Sequence, residues 1–371
     1  MKKADLIGRA LEEVPTPALI LDLDAVEANL RTAQKAAKKV GIHVRPHAKG
    51  HKSVEIARKQ IAYGGRGICC TKLGEAEIFA NSGIENILLT SELVDENKLV
   101  RACELANQVE LILVVDSEEG IRRLNIAASN AGTKIGVLIE LNVGQNRCGV
   151  GSPEEARQLA HQVETAKYLE LRGIQAYHGR LQHVSGWGAR RDAVRSAMEK
   201  VDHVIDGFKR DGLSLEIITG GGTGTFETDC ELGRLNEVQP GSYVVMDAQY
   251  KVIGGQAGAF QVFQHALFVR TQVISRTGDR WCVVDAGLKS MSSDAGHPEL
   301  IEYDMLSYSF AGDEHGIIDL KDSRPGPKIG DKLTIIPGHC DTTINLYDHY
   351  IVVQAGKVVD VWSIDTRGRI Q

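Results

Sequence analysis

ELILVVDSEEGIRRLNIAASNAGTKIGVLIEL, residues 110–141, decides the fold. ELILVVD and KIGVLIEL are short apolar runs of strand type. SEEGIRRLNIAASNAG between them has helical spacing and closes on glycine. The same alternation spreads outward in both directions. Strand-like runs recur at 42–49 (IHVRPHAK), 66–71 (RGICCT), 86–90 (NILLT), 171–178 (LRGIQAYH), 214–221 (SLEIITGG) and 237–247 (EVQPGSYVVMD), with helix-like segments between them. AVEANLRTAQKAAKKVG, 25–41, is the first of these helices. A regular β-α repeat of this count implies a parallel sheet closed into a (β/α)8 barrel spanning residues 25–250. Beyond 250 the texture changes. The runs at 259–277, 279–287, 331–339 and 349–364 are β-branched, separated by turn residues, with little helical periodicity. They predict an antiparallel β-domain from residues 251–371, joined by 1–24, whose PTPALILDLDAV is strand-like and could pair with it.

The 371-residue chain is 43% hydrophobic and 25% charged, with net charge -6. These values are those of an ordinary globular protein and give no reason to expect nucleic acid as a partner. MKKADLIGRALEEVPTP has charge but no apolar core of a secretory leader, and no long uncharged apolar stretch suggests a membrane span. Seven cysteines without zinc-ribbon spacing read as reduced core residues, so a cytoplasmic location is expected.

In such a barrel, chemistry sits where strands end. Those ends carry Lys49, then CCTK and TSE, then Arg147 in ELNVGQNRCG, Tyr177, His178 and His183 in AYHGRLQH, TGGGTGT at 219–225, and PGSY at 240–243. A lysine just past a buried strand suits Schiff-base chemistry, because desolvation and nearby cations favour its neutral amine. Lys52 and Lys72 compete for that role. Glycine-rich backbone after the seventh and eighth strands is where this barrel class binds phosphate, with Thr223 adding a hydroxyl; a tight turn is the alternative. His339 and Asp341, two apart in a segment expected to be extended, would point the same way and could grip one divalent cation, or could merely cap a turn. His47 and His51 read as packing or orienting groups, and His161, His203, His265 and His297 as packing.

The strings VPTPALILDLDAVEANL, RPHAKGHKS, GRGICCTKLGEAE, VGQNRCGV, AYHGRLQH, TGGGTGT, PGSYVVMD, DAGLKS, EHG and PGHCDTTINLYD resemble, in order, the fold-type III pyridoxal-phosphate enzymes of the D-threonine aldolase and D-serine dehydratase group. The resemblance implies the alanine-racemase architecture, a homodimer, and a small amino-acid substrate. By it, Lys49 resembles the Schiff-base lysine, Arg147 the residue facing the pyridine nitrogen, and Tyr177 a cofactor-contacting tyrosine. An arginine there would leave the ring nitrogen unprotonated, a weaker electron sink. Gly221, Gly222, Thr223, Gly241 and Ser242 resemble the phosphate cradle, His339 and Asp341 the metal pair, and His183 the catalytic base. Thr71 stands where some relatives have glutamine. The dehydratase branch has His-x-Cys at the metal pair; a carboxylate suits Mn or Mg and points to the aldolase branch.

The implied activity is metal-assisted Cα–Cβ cleavage of a D-β-hydroxy-α-amino acid, giving glycine and an aldehyde. Arg180 would suit a side-chain carboxylate such as that of 3-hydroxyaspartate, or is a surface arginine. Dehydration of D-serine or D-3-hydroxyaspartate, and a non-catalytic pyridoxal-phosphate-binding protein, are the alternatives.

Overall fold

The computed structural model describes residues 3–320 and 326–371; residues 1, 2 and 321–325 of the expected β-domain lie outside the described residues. The chain makes two compact units. One holds the N-terminal residues through Thr32 together with Gly50–Glu55 and Ser242–Arg367; the other holds Ala33–Lys49, Ile56–Gly241 and Gly368–Gln371. No helix among the described residues is long and apolar enough to cross a membrane.

The second unit contains the barrel. Its eight-stranded sheet runs His43–Val44, Glu237–Val238, Ile217–Gly220, Leu169–Ala176, Ile135–Glu140, Glu110–Val115, Asn86–Leu89 and Ile68–Cys70, and each of these neighbouring pairs is parallel. A parallel bridge between His47 and Cys69 joins the two ends. There the Ala48 N–H donates to the Cys69 carbonyl at 2.8 Å, and the Cys69 N–H to the Pro46 carbonyl at 2.8 Å. Closure leaves no edge strand exposed.

The quoted stretch folds as expected. Ser117, extended, caps the Glu118–Ala131 helix by accepting the Gly120 N–H, and Gly132 ends it at φ +65°. Ser152 and Glu155 form a capping box on Pro153–Thr165, with proline in its first turn. Cys69, Leu88, Ile112, Val114, Leu138 and Ile217 form one buried cluster of the sheet. At the N-terminal end of the strands, Arg45 and Glu237, both fully buried, pair at 2.8 Å. Arg45 also reaches Asn86.

One irregularity serves the site. The pairing slips between Val137 and Leu138, and Gly173, at φ +141°, sits there with an imagined Cβ only 1.9 Å from the Ile217 carbonyl oxygen. Only glycine fits at such a bulge, and beyond it the strand carries Gln175 to Glu140 and Ala176 to Gly220.

The nine-stranded sheet of the first unit is largely antiparallel. Ala18–Asp22 pairs antiparallel with Leu267–Ser275 and parallel with His349–Gln354, so the opening strand does join the later domain. Val14, Ala18, Ile20, Val353, Val358 and Val361 form a buried cluster on it.

Two expectations need correction. The eighth barrel strand is only Glu237–Val238; Ser242–Val244 is a 3-10 turn and Ala248–Lys251 a short helix. PGSYVVMD is apolar because Tyr243, Val244, Val245 and Met246 are buried, without forming a ladder. The segment 339–341 is not extended either. His339 is the extended cap of a helix, Cys340–Ile344, so Asp341 already lies on that helix and strand alternation does not orient the pair.

Candidate active site

At the C-terminal end of the barrel strands lies a cavity lined by His47, Lys49, Thr71, Thr90, Ser91, Arg147, Gln175, Tyr177 and Gln239. Lys49 is half-buried just past the first strand, and its Nζ lies 5.9 Å from the centre of the Tyr177 ring. The Arg147 guanidinium lies 5.6 Å from the same centre. Three residues named from sequence thus meet around one ring. Lys52, the rival, bears a left-handed backbone at φ +53°, and neither it nor Lys72 lines the cavity.

Sequence reasoning missed the polar floor. The Gln175 amide donates to Glu140 at 2.5 Å, and the Gln239 amide donates to Gln175 at 3.0 Å and to the Thr219 hydroxyl at 2.9 Å. All four residues are buried. Burial foremost, then the charge of Glu92, pushes the Glu140 carboxyl well above its usual range. The visible clue was a polar residue inside each apolar run, Gln175 in GIQAYH and Gln239 in EVQPGS. His47, expected to pack or orient, lies at the cavity wall with its Nε2 3.1 Å from Thr90 Oγ1. His51 is buried with its Nδ1 accepting the Ser53 N–H, an orienting role.

The glycine loop does not line this cavity, nor does His183. Gly221, Gly222 and Thr223 are buried between the Ile217–Gly220 strand and the Phe226–Leu232 helix. Gly241 precedes the 3-10 turn that Ser242 opens, and a Cβ on Gly241 would rest 3.4 Å from the His47 carbonyl oxygen. His183 ends the 3-10 turn Gly179–His183 and is exposed, as is Arg180. Burial, then the charge of Arg180, holds the His178 ring below the usual imidazole range.

In the other unit, His339 is held by its Nδ1, 2.7 Å from Asp294 Oδ2. Beside a carboxylate that nitrogen is the donor, which leaves Nε2 with the lone pair a cation takes. Thr342 donates to the other Asp294 oxygen at 2.7 Å, and Ser292 donates to it as well. Burial raises the Asp294 carboxyl, but these bonds outweigh it and hold it down at about 2. Asp341 accepts from Ser242 Oγ at 3.4 Å and Cys340 Sγ at 3.3 Å. A Cβ on Gly50 would stand 2.8 Å from Asp341 Oδ1, so glycine is needed there for that carboxylate to keep its position. Cys340 itself is fully buried, and burial pushes its thiol well above the ordinary range, against a thiolate ligand. Among the described residues, one trio of ligand-type atoms lies within 4.8 Å of one another: Glu92, Asp116 and Cys148, at the barrel rim.

The residues fit pyridoxal phosphate. An amine, an aromatic ring and a guanidinium surround one cavity, and glycine-rich backbone follows the seventh strand. The imidazole and carboxylate donors fit a divalent cation held by two protein ligands.

Residues 21–249 match the N-terminal domain of alanine racemase, and residues 266–353 a putative serine dehydratase domain. The 3-hydroxy-D-aspartate aldolase of Paracoccus denitrificans (strain Pd 1222) is 39% identical over 369 residues, 98% of this chain and 95% of that protein. The D-threonine aldolase of an Arthrobacter species is 37% identical, covering 97% of this chain and 95% of that protein. The crystal structure of D-threonine aldolase from Filomicrobium marinum superposes with a TM-score of 0.95 at 39% identity, covering 98% of this chain and 99% of that one. With matches over nearly its whole length, and a barrel and sheet of the kind these proteins share, the chain belongs to the fold-type III pyridoxal-phosphate enzymes, in the D-threonine aldolase and D-serine dehydratase family.

Proposed function

We propose that the chain is a lyase that splits D-β-hydroxy-α-amino acids, D-threonine and 3-hydroxy-D-aspartate among them, into glycine and an aldehyde. The observation that carries this is the meeting of Lys49, Tyr177 and Arg147 around one cavity. Beside it stand relatives that are named aldolases. Lys49 would hold pyridoxal phosphate covalently through Nζ, Tyr177 would pack against it, and Arg147 would face the ring nitrogen. Gly221, Gly222, Thr223, Gly241 and Ser242 would hold its phosphate. When bound, the cofactor supplies a conjugated ring that accepts the electron pair released at Cα. A divalent cation on His339 and Asp341, manganese or magnesium by its donor set, supplies positive charge that lowers the pKa of the substrate hydroxyl.

His183 takes the proton from the substrate β-hydroxyl; the Cα–Cβ bond then breaks, the aldehyde leaves, and a proton delivered to Cα completes glycine. Asp294 fixes the His339 ring, and so the face from which the hydroxyl is approached. That fixed approach selects the D configuration at Cα and leaves Cβ less controlled. The reading includes a homodimer acting in the cytoplasm, on a small-molecule substrate.

Dehydration is the second reading, and Asp341 disfavours it, since the dehydratase branch has cysteine at that position. Product analysis separates the two. With purified enzyme, D-threonine should give glycine and acetaldehyde in equal amounts, and L-threonine neither. Ammonia with 2-oxobutyrate would assign the chain to dehydration.

A further inference from the structure

The loop Thr219–Thr225 and the turn Gly179–His183 are fastened to each other at unusually close range. Gln182, buried and one residue before His183, inserts its amide into the loop. Its Oε1 accepts the Gly224 N–H at 2.9 Å and the Thr225 N–H at 3.3 Å, while its Nε2 donates to Thr225 Oγ1 at 3.0 Å. A Cβ on Gly222 would fall 2.5 Å from Gln182 Oε1, and one on Gly224 only 1.9 Å from the Gln182 carbonyl oxygen. At Gly224 the clash is with backbone, so glycine is required there by the turn whatever the loop binds, whereas at Gly222 it is with the Gln182 amide itself.

A second fastening comes from the Trp187–Asp211 helix. Arg190, fully buried, donates from Nε to the Gly224 carbonyl at 2.8 Å and from a terminal nitrogen to the Val184 carbonyl at 2.7 Å. One rigid, planar guanidinium thus holds the loop and the residue that follows His183. Thr225 completes the assembly by donating to the buried Asp229 at 2.7 Å.

We propose that Gln182 and Arg190 are positioning residues that couple the phosphate loop to His183, so that seating the cofactor's phosphate fixes the base in its working place. The inference rests on the function proposed above. It adds that the loop and the turn move together. Anion binding and proton transfer are then parts of one mechanical event. A base displaced by about 1 Å loses roughly 100-fold in rate, so such a coupling has leverage.

The first test needs no variant. Hydrogen exchange by mass spectrometry is measured on the full chain free of cofactor, then with inorganic phosphate, then with pyridoxal phosphate. Phosphate alone should slow exchange both in 220–225 and in 179–184; slowing confined to 220–225 overturns the coupling. The second test compares Gln182→Met with Gln182→Glu, the latter keeping an acceptor for the Gly224 and Thr225 amides. Gln182→Met should weaken inorganic phosphate binding roughly tenfold and lower kcat roughly 100-fold at saturating cofactor, with KM little changed. Gln182→Glu should recover most of the kcat loss. Equal losses in both variants, or a wild-type kcat in Gln182→Met, would contradict the proposal. A wild-type chain that takes up no pyridoxal phosphate sinks the functional reading, whereas uptake without protection of 179–184 sinks only the coupling.

Discussion

Lys49 is the residue on which the proposed chemistry turns, and its neighbours define what its loss should do. Lys49→Ala should keep its fold, with Tyr177 and Arg147 in place, while losing both the visible absorbance of bound cofactor and all turnover. Asp341→Ala should retain that absorbance and lose at least 100-fold in activity, because it takes away a ligand of the proposed cation and is not part of the cavity lining. Spectra and steady-state rates on the two variants separate these roles. Asp229 gives a second prediction at this scale. Burial foremost raises its carboxyl from 3.8 to about 7, despite the Thr225 and Gly222 bonds that favour the anion. Between those values the folded chain keeps a proton that the unfolded chain has released, so this group makes stability fall as pH rises from about 4 to 7. Asp229→Asn removes that slope, and thermal melts of both proteins across this range should converge at low pH and diverge at neutral pH.

Among elements, the two strands and the helix of residues 110–141 were legible because periodicity and capping residues agree. Lys49, Arg147 and Tyr177 were legible for a related reason: each follows an apolar run, where a barrel puts its chemistry. Thr90 and Ser91 were legible in the same way, in the TSE string at a strand end. Gln175 and Gln239 were not, since a polar residue within an apolar run does not show which way it faces until the register is known. PGSYVVMD and PGHCD misled in the opposite way. Tyr243, Val244, Val245, Met246 and Cys340 are buried in turns and in a short helix, and burial without a ladder carries no period. The glycines separate the two kinds of turn. Gly224→Ala should cost about 3 kcal/mol, because the added carbon meets backbone and not a flexible side chain. Gly188→Ala, in the Trp187–Asp211 helix with nothing within 4 Å, should stabilise by about 0.5 kcal/mol. Denaturant unfolding of the pair checks both signs.

For the whole molecule, the barrel depends on polar closure at one end of its strands and chemistry at the other. Arg45 and Glu237 are fully buried and paired, and Arg66 Nε stands 3.9 Å from the same carboxylate. Arg45→Met leaves the buried Glu237 carboxyl without its close partner, and should lower unfolding stability by about 3 kcal/mol. The chain's activity should also depend on a cation: thorough chelation should abolish cleavage of D-threonine while leaving bound pyridoxal phosphate spectroscopically intact, and added manganese should restore it. The proposed chemistry stands or falls on one amine, Lys49, as the attachment point of the cofactor. Borohydride reduction of the enzyme with pyridoxal phosphate, followed by peptide mapping, should find the fixed cofactor on the peptide carrying Lys49, at that residue alone; a label on Lys52, Lys72 or any other lysine would overturn the assignment.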